Sequence, residues 1–172
     1  MSVKSKTIMQ IAIIVEDLDR VVDNFVNMFG VDRPESFYIP PTQTVPTFNS
    51  SIQEDCSDVK LAVLHFDGMV IEVAQPGSAD TVFKRWLDKN GAGVHHFGFL
   101  VDEKNKDDAL SSLSSMGCNL EHAGFYPNLT YTFIDGKKAF GIDFNIKWNT
   151  DNSEKIQKML ANPEAPLSDF LK

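Results

Sequence analysis

Apolar and polar positions along the chain alternate between two rhythms, and the same succession of rhythms occurs twice. Ile8 to Val15 is an apolar run broken only by Gln10, which predicts a β-strand. Glu16-Asp17 closes it, with Asp17 placed to cap a helix in which Leu18, Val21, Val22, Phe25, Val26 and Phe29 recur at helical spacing before Gly30. Residues 31–57 lose the rhythm and are rich in Pro, Ser, Thr and Gln, with one strand expected near Ser36–Ile39. An irregular segment of that length reads as a mobile lid. Val59 to Phe66 and Met69 to Ala74 form two strands around the Asp67-Gly68 turn, the second carrying one charge, Glu72. Ser78 then caps a helix over residues 78–90, with Val82, Phe83, Trp86 and Leu87 on its apolar side.

After Gly91-Ala92-Gly93 the first pattern returns. Gln10-Ile11-Ala12-Ile13-Ile14-Val15-Glu16-Asp17 is answered by His96-Phe97-Gly98-Phe99-Leu100-Val101-Asp102-Glu103, and the helix ending at Gly30 by one over 106–116 ending at Gly117. The offsets, 96 − 10 = 86 and 117 − 30 = 87, keep the register within one residue. A strand over 125–134, a turn around Gly136 and a strand from Gly141 to Trp148 complete the second half. In that last strand Asp143, Asn145 and Lys147 alternate with Ile142, Phe144, Ile146 and Trp148, so one face is polar and the other apolar. Each half is therefore a strand, a helix and three further strands. The domain organisation is one domain over 1–172: modules at about 8–76 and 94–148, a linking helix at 78–90 and a tail at 149–172, with a short helix near Ser153–Leu160 and a remainder read as a peripheral or interface element.

Two such modules side by side make a cup on whose inner surface equivalent positions converge. Gln10 and His96 come from the first strands, Glu72 and Asn145 from the last, and each is polar in an otherwise apolar run. Buried polar groups need partners, and these four could share a divalent cation. Strand alternation places His95 on the opposite face from His96.

Charge and composition narrow the function. The 172 residues are 42% hydrophobic, enough for a sizeable core. A net charge of −8 with no basic stripe argues against nucleic acid and anionic membranes. No apolar run approaches the roughly 20 residues of a membrane span, and the first residues lack the apolar stretch of a secretory leader. Two cysteines, Cys56 and Cys118, make neither a disulfide framework nor a zinc pattern, so a reduced, cytoplasmic protein is expected.

Residues 8–148 resemble the vicinal oxygen chelate (VOC) superfamily, which includes glyoxalase I, methylmalonyl-CoA epimerase, extradiol dioxygenases and bleomycin-resistance proteins. The most specific part is Phe83-Lys84-Arg85-Trp86-Leu87-Asp88-Lys89-Asn90-Gly91-Ala92-Gly93-Val94-His95-His96, similar to the helix, glycine turn and double histidine of the epimerases. The resemblance implies an α+β fold of paired βαβββ modules forming a half-barrel. It carries the metal ligands onto Gln10, Glu72, His96 and Asn145, with zinc, nickel, cobalt, manganese and iron equally compatible. Gln10, Glu72 and His96 match the set used by eukaryotic glyoxalase I. Asn145 departs from the family: a Glu usually stands there as ligand and proton-transfer base, and Asn cannot take a proton near neutral pH. Glu72 is then the catalytic residue that remains.

Lys60, Tyr126, Tyr131 and Asp143 are further ligand-binding candidates, each open to a plainer role as solvated charge or core, whereas His65 and His122 read as structural. Two functions follow from the resemblance. One is a metal-dependent lyase or isomerase acting on a small carbonyl compound or thioester through an enediolate. The alternative is a non-catalytic small-molecule binder of the bleomycin-resistance type, without metal. A small-molecule ligand and a homodimer are the expected partners.

Overall fold

The structure is a computed structural model, and it describes residues 5, 7–49 and 52–171. Among the described residues ten strands form a single curled sheet: β1 (Gln10–Ile14), β2 (Phe37–Tyr38), β3 (Thr47–Asn49), β4 (Ile52–Gln53), β5 (Lys60–Phe66), β6 (Met69–Gln75), β7 (Gly93–Leu100), β8 (Asn119–Tyr126), β9 (Leu129–Asp135) and β10 (Asp143–Asn149). The helices are α1 (Leu18–Phe29), α2 (Val82–Asn90), α3 (Lys106–Ser115), α4 (Lys137–Phe140) and α5 (Ser153–Ala161). The strand order is β2-β5-β6-β1-β7-β10-β9-β8-β3-β4. In each half the first strand pairs in parallel with the last, β1 with β6 and β7 with β10, and the halves join through the antiparallel β1–β7 seam. This is the α+β half-barrel of paired βαβββ modules.

The alternation of each strand decides what lies inside and outside the cup. On the convex side α1 buries Leu18 and Val22 against Val15, Ala62, Leu64 and Val73, and α3 buries Ala109 and Leu113 against Ile134, Ile146 and Trp148. On the concave side Ile14, Leu61, Ala74, Tyr131 and Phe133 meet Phe83 of α2 and Ile39, Cys56 and Val59. The linking helix thus plugs one end of the cup.

Several elements differ from their sequence expectation. Helix α2 starts at Val82 with Thr81 as its cap, accepting from Lys84 N at 3.2 Å, because Asp58 Oδ2 holds Ala79 N at 2.8 Å and keeps residues 78–80 out of the helix. The strand expected over 125–134 is two strands joined at Pro127-Asn128, β8 having been hidden by a bulge between Leu120 and His122 that breaks its alternation. The segment 31–57 is a strap rather than an open flap. It pairs with β5 through β2 at one sheet edge and with β8 through β3 at the other, and it buries Ile39, Val45, Phe48 and Cys56. Residues 50 and 51 of that segment lie outside those described. In the tail, Met159, Ala165, Leu167 and Phe170 bury a small core of their own with Phe48 and Phe125.

Candidate functional site

The β1–β7 seam brings Gln10 and His96 together, and β10 adds Asn145. Gln10 pairs directly with Gly98, and Asn145 pairs with Gly98 from the other side. A Cβ at Gly98 would lie 2.8 Å from Gln10 Cβ, so only glycine leaves room for Gln10 to reach across the seam. Gln10 Nε2 and Asn145 Nδ2 each stand 3.3 Å from His96 Nε2. All three residues are buried.

The structure also corrects the placement of His95. The β1–β7 register passes from His96 opposite Ala12 to Val94 opposite Ile13, so His95 is the extra residue of a β-bulge. The bulge cancels the alternation and turns both imidazoles to the same side. Their Nδ1 atoms lie 3.0 Å apart, and both rings pack on Phe133, with centroids 5.1 and 4.8 Å away. The cluster is satisfied when His96 Nδ1–H donates to His95 Nδ1 and His96 Nε2 accepts from the two amides. Burial drives both imidazoles toward the neutral form: His95 falls to about 3, and His96, beside His95 and Lys147, falls well below the usual histidine range.

Lys147, two residues past Asn145 on the same face, donates from Nζ to Gln10 Oε1. Asn145 Oδ1 is buried with no hydrogen-bond partner among the described residues. Asn145, Lys147, Glu72, Tyr126 and Tyr131 line a cavity of about 190 Å3 whose remaining wall is apolar. Glu72 therefore faces the cavity but makes no side-chain hydrogen bond or ion pair among the described residues. Burial, and then Glu72, push the Tyr126 phenol up to about 12.

Two candidates lie elsewhere. Lys60 sits on β5 and pairs with Asp19 of α1, Nζ standing 2.8 and 3.0 Å from the two carboxylate oxygens, so it is held on the helix side of the sheet and away from the cavity. Asp143 accepts from Gly136 N at 3.1 Å and faces a separate cavity of about 420 Å3, shared with His95, Trp86 and Lys137. Burial raises the Asp143 carboxyl above its ordinary value.

A family model described as the Glyoxalase/Bleomycin resistance protein/Dioxygenase superfamily matches residues 9–133. The chain belongs to that superfamily. No curated protein sequence is a significant match. Among solved structures, the Mycobacterium tuberculosis methylmalonyl-CoA epimerase has a TM-score of 0.60 at 21% identity, covering 90% of this chain and 95% of that one. A hypothetical protein of Bacillus halodurans has a TM-score of 0.61 at 17% identity, covering 84% and 95%. A variant of the Streptomyces coelicolor methylmalonyl-CoA epimerase in complex with 2-nitronate-propionyl-CoA has a TM-score of 0.56 at 21% identity, covering 84% and 98%. Likeness at these identities carries the fold, with residue roles left to the site itself. No helix among the described residues is long and apolar enough to cross a membrane.

Superfamily enzymes commonly use a divalent metal, and the donors here can be tested for one. Gln10 Oε1 is occupied by the Lys147 ammonium. The His96 Nε2 lone pair faces two amide nitrogens. The carboxylate, Glu72, lines the same cavity as Asn145 but makes no hydrogen bond to Gln10, His96 or Asn145. A second positive charge beside an ammonium in a buried pocket is strongly disfavoured. The residues at this centre do not fit a divalent ion while Lys147 holds its place.

Sequence reasoning singled out neither Lys147 nor a second buried group, Glu54, Cys56 and His122. His122 Nε2 meets the Tyr131 hydroxyl at 3.1 Å, and His122 Nδ1 lies 3.2 Å from Glu54 Oε2. Arg85 pairs with Glu54 Oε1 at 2.5 Å. Burial would raise the Glu54 carboxyl, but His122 and Arg85 outweigh it and hold it below its ordinary value. The available signal was local: Glu54 and Cys56 stand two residues apart on the strap.

Proposed function

We propose that the chain binds a small carbonyl or carboxylate compound in its cup without a divalent ion, the cation being supplied by Lys147. The observation that carries this is the Lys147 ammonium on Gln10 Oε1, beside His96 and Asn145. An ammonium has three N–H donors, and the bond to Gln10 uses one of them. The others serve a ligand oxygen, by charge-assisted hydrogen bonds of the stronger kind. Asn145 Oδ1, buried and unpartnered, calls for a donor such as a hydroxyl or amide N–H on the same ligand. Gln10, His96 and His95 lock Lys147 and Asn145 in position. Methylmalonyl-CoA, handled by the epimerases that share the fold, joins a carbonyl to a carboxylate and so belongs to the ligand class proposed here.

A second reading, an isomerase of the epimerase type, is favoured by Glu72. Its carboxylate faces the same cavity and makes no hydrogen bond or ion pair among the described residues. In that reading Glu72 removes a proton next to the ligand carbonyl, and Lys147 stabilises the oxygen that becomes negative.

Calorimetric titration with short dicarboxylates, hydroxy acids and their thioesters tests the primary reading, with and without a chelator. Binding is expected to be indifferent to chelation and at least about tenfold weaker in Lys147→Met, a loss of roughly 1.4 kcal/mol. Binding that needs an added divalent ion overturns the proposal. Solvent deuterium entering the ligand, and failing to enter with Glu72→Gln, selects the isomerase; no exchange selects the binder.

A further inference from the structure

Glu54, Cys56 and His122 stand outside the seam centre and none of their chemistry is used there. Glu54 and Cys56 come from the strap and His122 from β8, the neighbour of β3. Cys56 and His122 are fully buried, and Glu54 is 8% exposed. Three atoms of different type converge. His122 Nδ1 is 3.2 Å and Cys56 Sγ 3.7 Å from the same oxygen, Glu54 Oε2, and all three ligand atoms lie within 4.8 Å of one another. Around tetrahedral zinc, with bonds of about 2.0–2.1 Å to nitrogen or oxygen and about 2.3 Å to sulfur, ligand atoms stand roughly 3.3–3.6 Å apart. The two distances to Glu54 Oε2 are already close to that spacing.

We infer that Glu54, Cys56 and His122 form a binding site for a thiophilic divalent ion of the zinc class, distinct from the Gln10–His96–Asn145 centre. The orientation of His122 is the independent sign. Its Nδ1 is fully buried and points at Glu54 Oε2, 3.2 Å away, with no other partner among the described residues. The opposite ring nitrogen is tied to the Tyr131 hydroxyl at 3.1 Å. When Nε2–H donates to that phenol oxygen, Nδ1 presents a lone pair to the cluster, the arrangement that orients metal-ligating histidines. Glu54 is oriented in the same way: Arg85 holds Oε1, Val82 N donates to Oε2 at 3.1 Å, and the Oε2 lone pair that accepts from the Cys56 thiol is freed when the thiol proton leaves. A thiolate, an imidazole and a carboxylate select zinc or cobalt over magnesium or calcium. Three protein ligands leave a fourth position for water.

The ion would tie the strap to β8 across the 122 − 56 = 66 positions between Cys56 and His122. A clip that closes a long loop stabilises the folded state, so ion binding and strap closure are coupled. Binding replaces the thiol proton of Cys56, which leaves to solvent, one proton for each ion bound. The inference is independent of the reading of the cup, since Gln10, His96, Asn145 and Lys147 contribute no ligand.

The test uses the full chain, produced without an affinity tag, stripped with chelator and titrated with Co2+. One equivalent is expected to bind with an intense near-ultraviolet sulfur-to-cobalt charge-transfer band, which Zn2+ then bleaches. Cys56→Ser removes the band, His122→Asn weakens binding at least about tenfold, and Cys118→Ser and Gln10→Ala leave the band in place. Zn2+ also raises the melting temperature of the native chain, a readout that needs no variant to fold. The inference is overturned by no uptake at equimolar Co2+, by ligand-field bands without charge transfer, or by a band that survives Cys56→Ser.

Discussion

Gly98→Ala tests the geometry of the seam with a single methyl group. The new Cβ would stand 2.8 Å from Gln10 Cβ and 3.5 Å from both Gln10 Cγ and Cδ, against an ordinary contact of at least 3.4 Å. The atom in the way is a Cβ, fixed by the β1 backbone, so no rotamer change relieves the clash; β1 and β7 must separate by roughly 0.6 Å (3.4 − 2.8) at that pair. Gln10 cannot retreat freely either, because its amide is held by His96 and by Lys147. Overpacking a tight site costs about 1–3 kcal/mol. For a chain of this size each kcal/mol lowers the melting temperature by about 2–4 °C, so a fall of roughly 2–12 °C is expected. The same displacement pulls Gln10 away from Lys147, so binding of a carboxylate ligand should weaken together with stability. Denaturant melts give the first quantity and calorimetry the second. A loss below about 0.5 kcal/mol with unchanged ligand affinity would refute the packing argument, and with it the claim that Gly98 exists to let Gln10 cross the seam.

Acid stability carries a second prediction. His95, His96 and His122 all have folded pKa values pushed below their ordinary value, chiefly by burial. Between the unfolded value near 6.5 and the lower folded value the unfolded chain holds the extra proton, so stability falls as pH falls, by up to about 1.4 kcal/mol per pH unit for each histidine. For His95 that window runs from about 6.5 down to about 3. Urea melts of His95→Gln across this range should show a shallower pH slope than the native chain, and an identical slope would sink the assignment. A third prediction separates Lys147 from Asn145. Asn145→Glu alone should gain no divalent-ion affinity at the cup, because the new carboxylate pairs with Lys147; Asn145→Glu with Lys147→Met should gain at least about tenfold, roughly 1.4 kcal/mol. An equal gain in the single variant, read by calorimetry, would show that the ammonium does not exclude the ion.

The sequence by itself determined the duplication and the inner face of the cup. Period-two alternation in β10 and the polar interruptions at Gln10 and His96 assign faces locally, because a strand offers only two. Helix α1 was equally legible, since Asp17 accepts from Arg20 N at 3.0 Å and Gly30 closes the other end, both within the helix's own sequence. Tertiary structure alone decided the rest. The bulge at His95 arises from the pairing with β1, some 85 residues earlier (95 − 10), and no local pattern announces it. Where a long polar side chain ends is decided by whatever the far strand presents, so Lys147, expected only as one of three polar residues, finds Gln10 across 137 positions. Lys60, equally polar and at the start of its strand, finds Asp19 on the helix side instead. Glu54, Cys56 and His122 converge because the strap is pinned at both edges of the sheet, through β2 on β5 and β3 on β8. Alternation tells which side of its own strand a side chain takes, but a buried cluster drawn from an irregular strap and a bulged strand exists only once loop closure has brought them together.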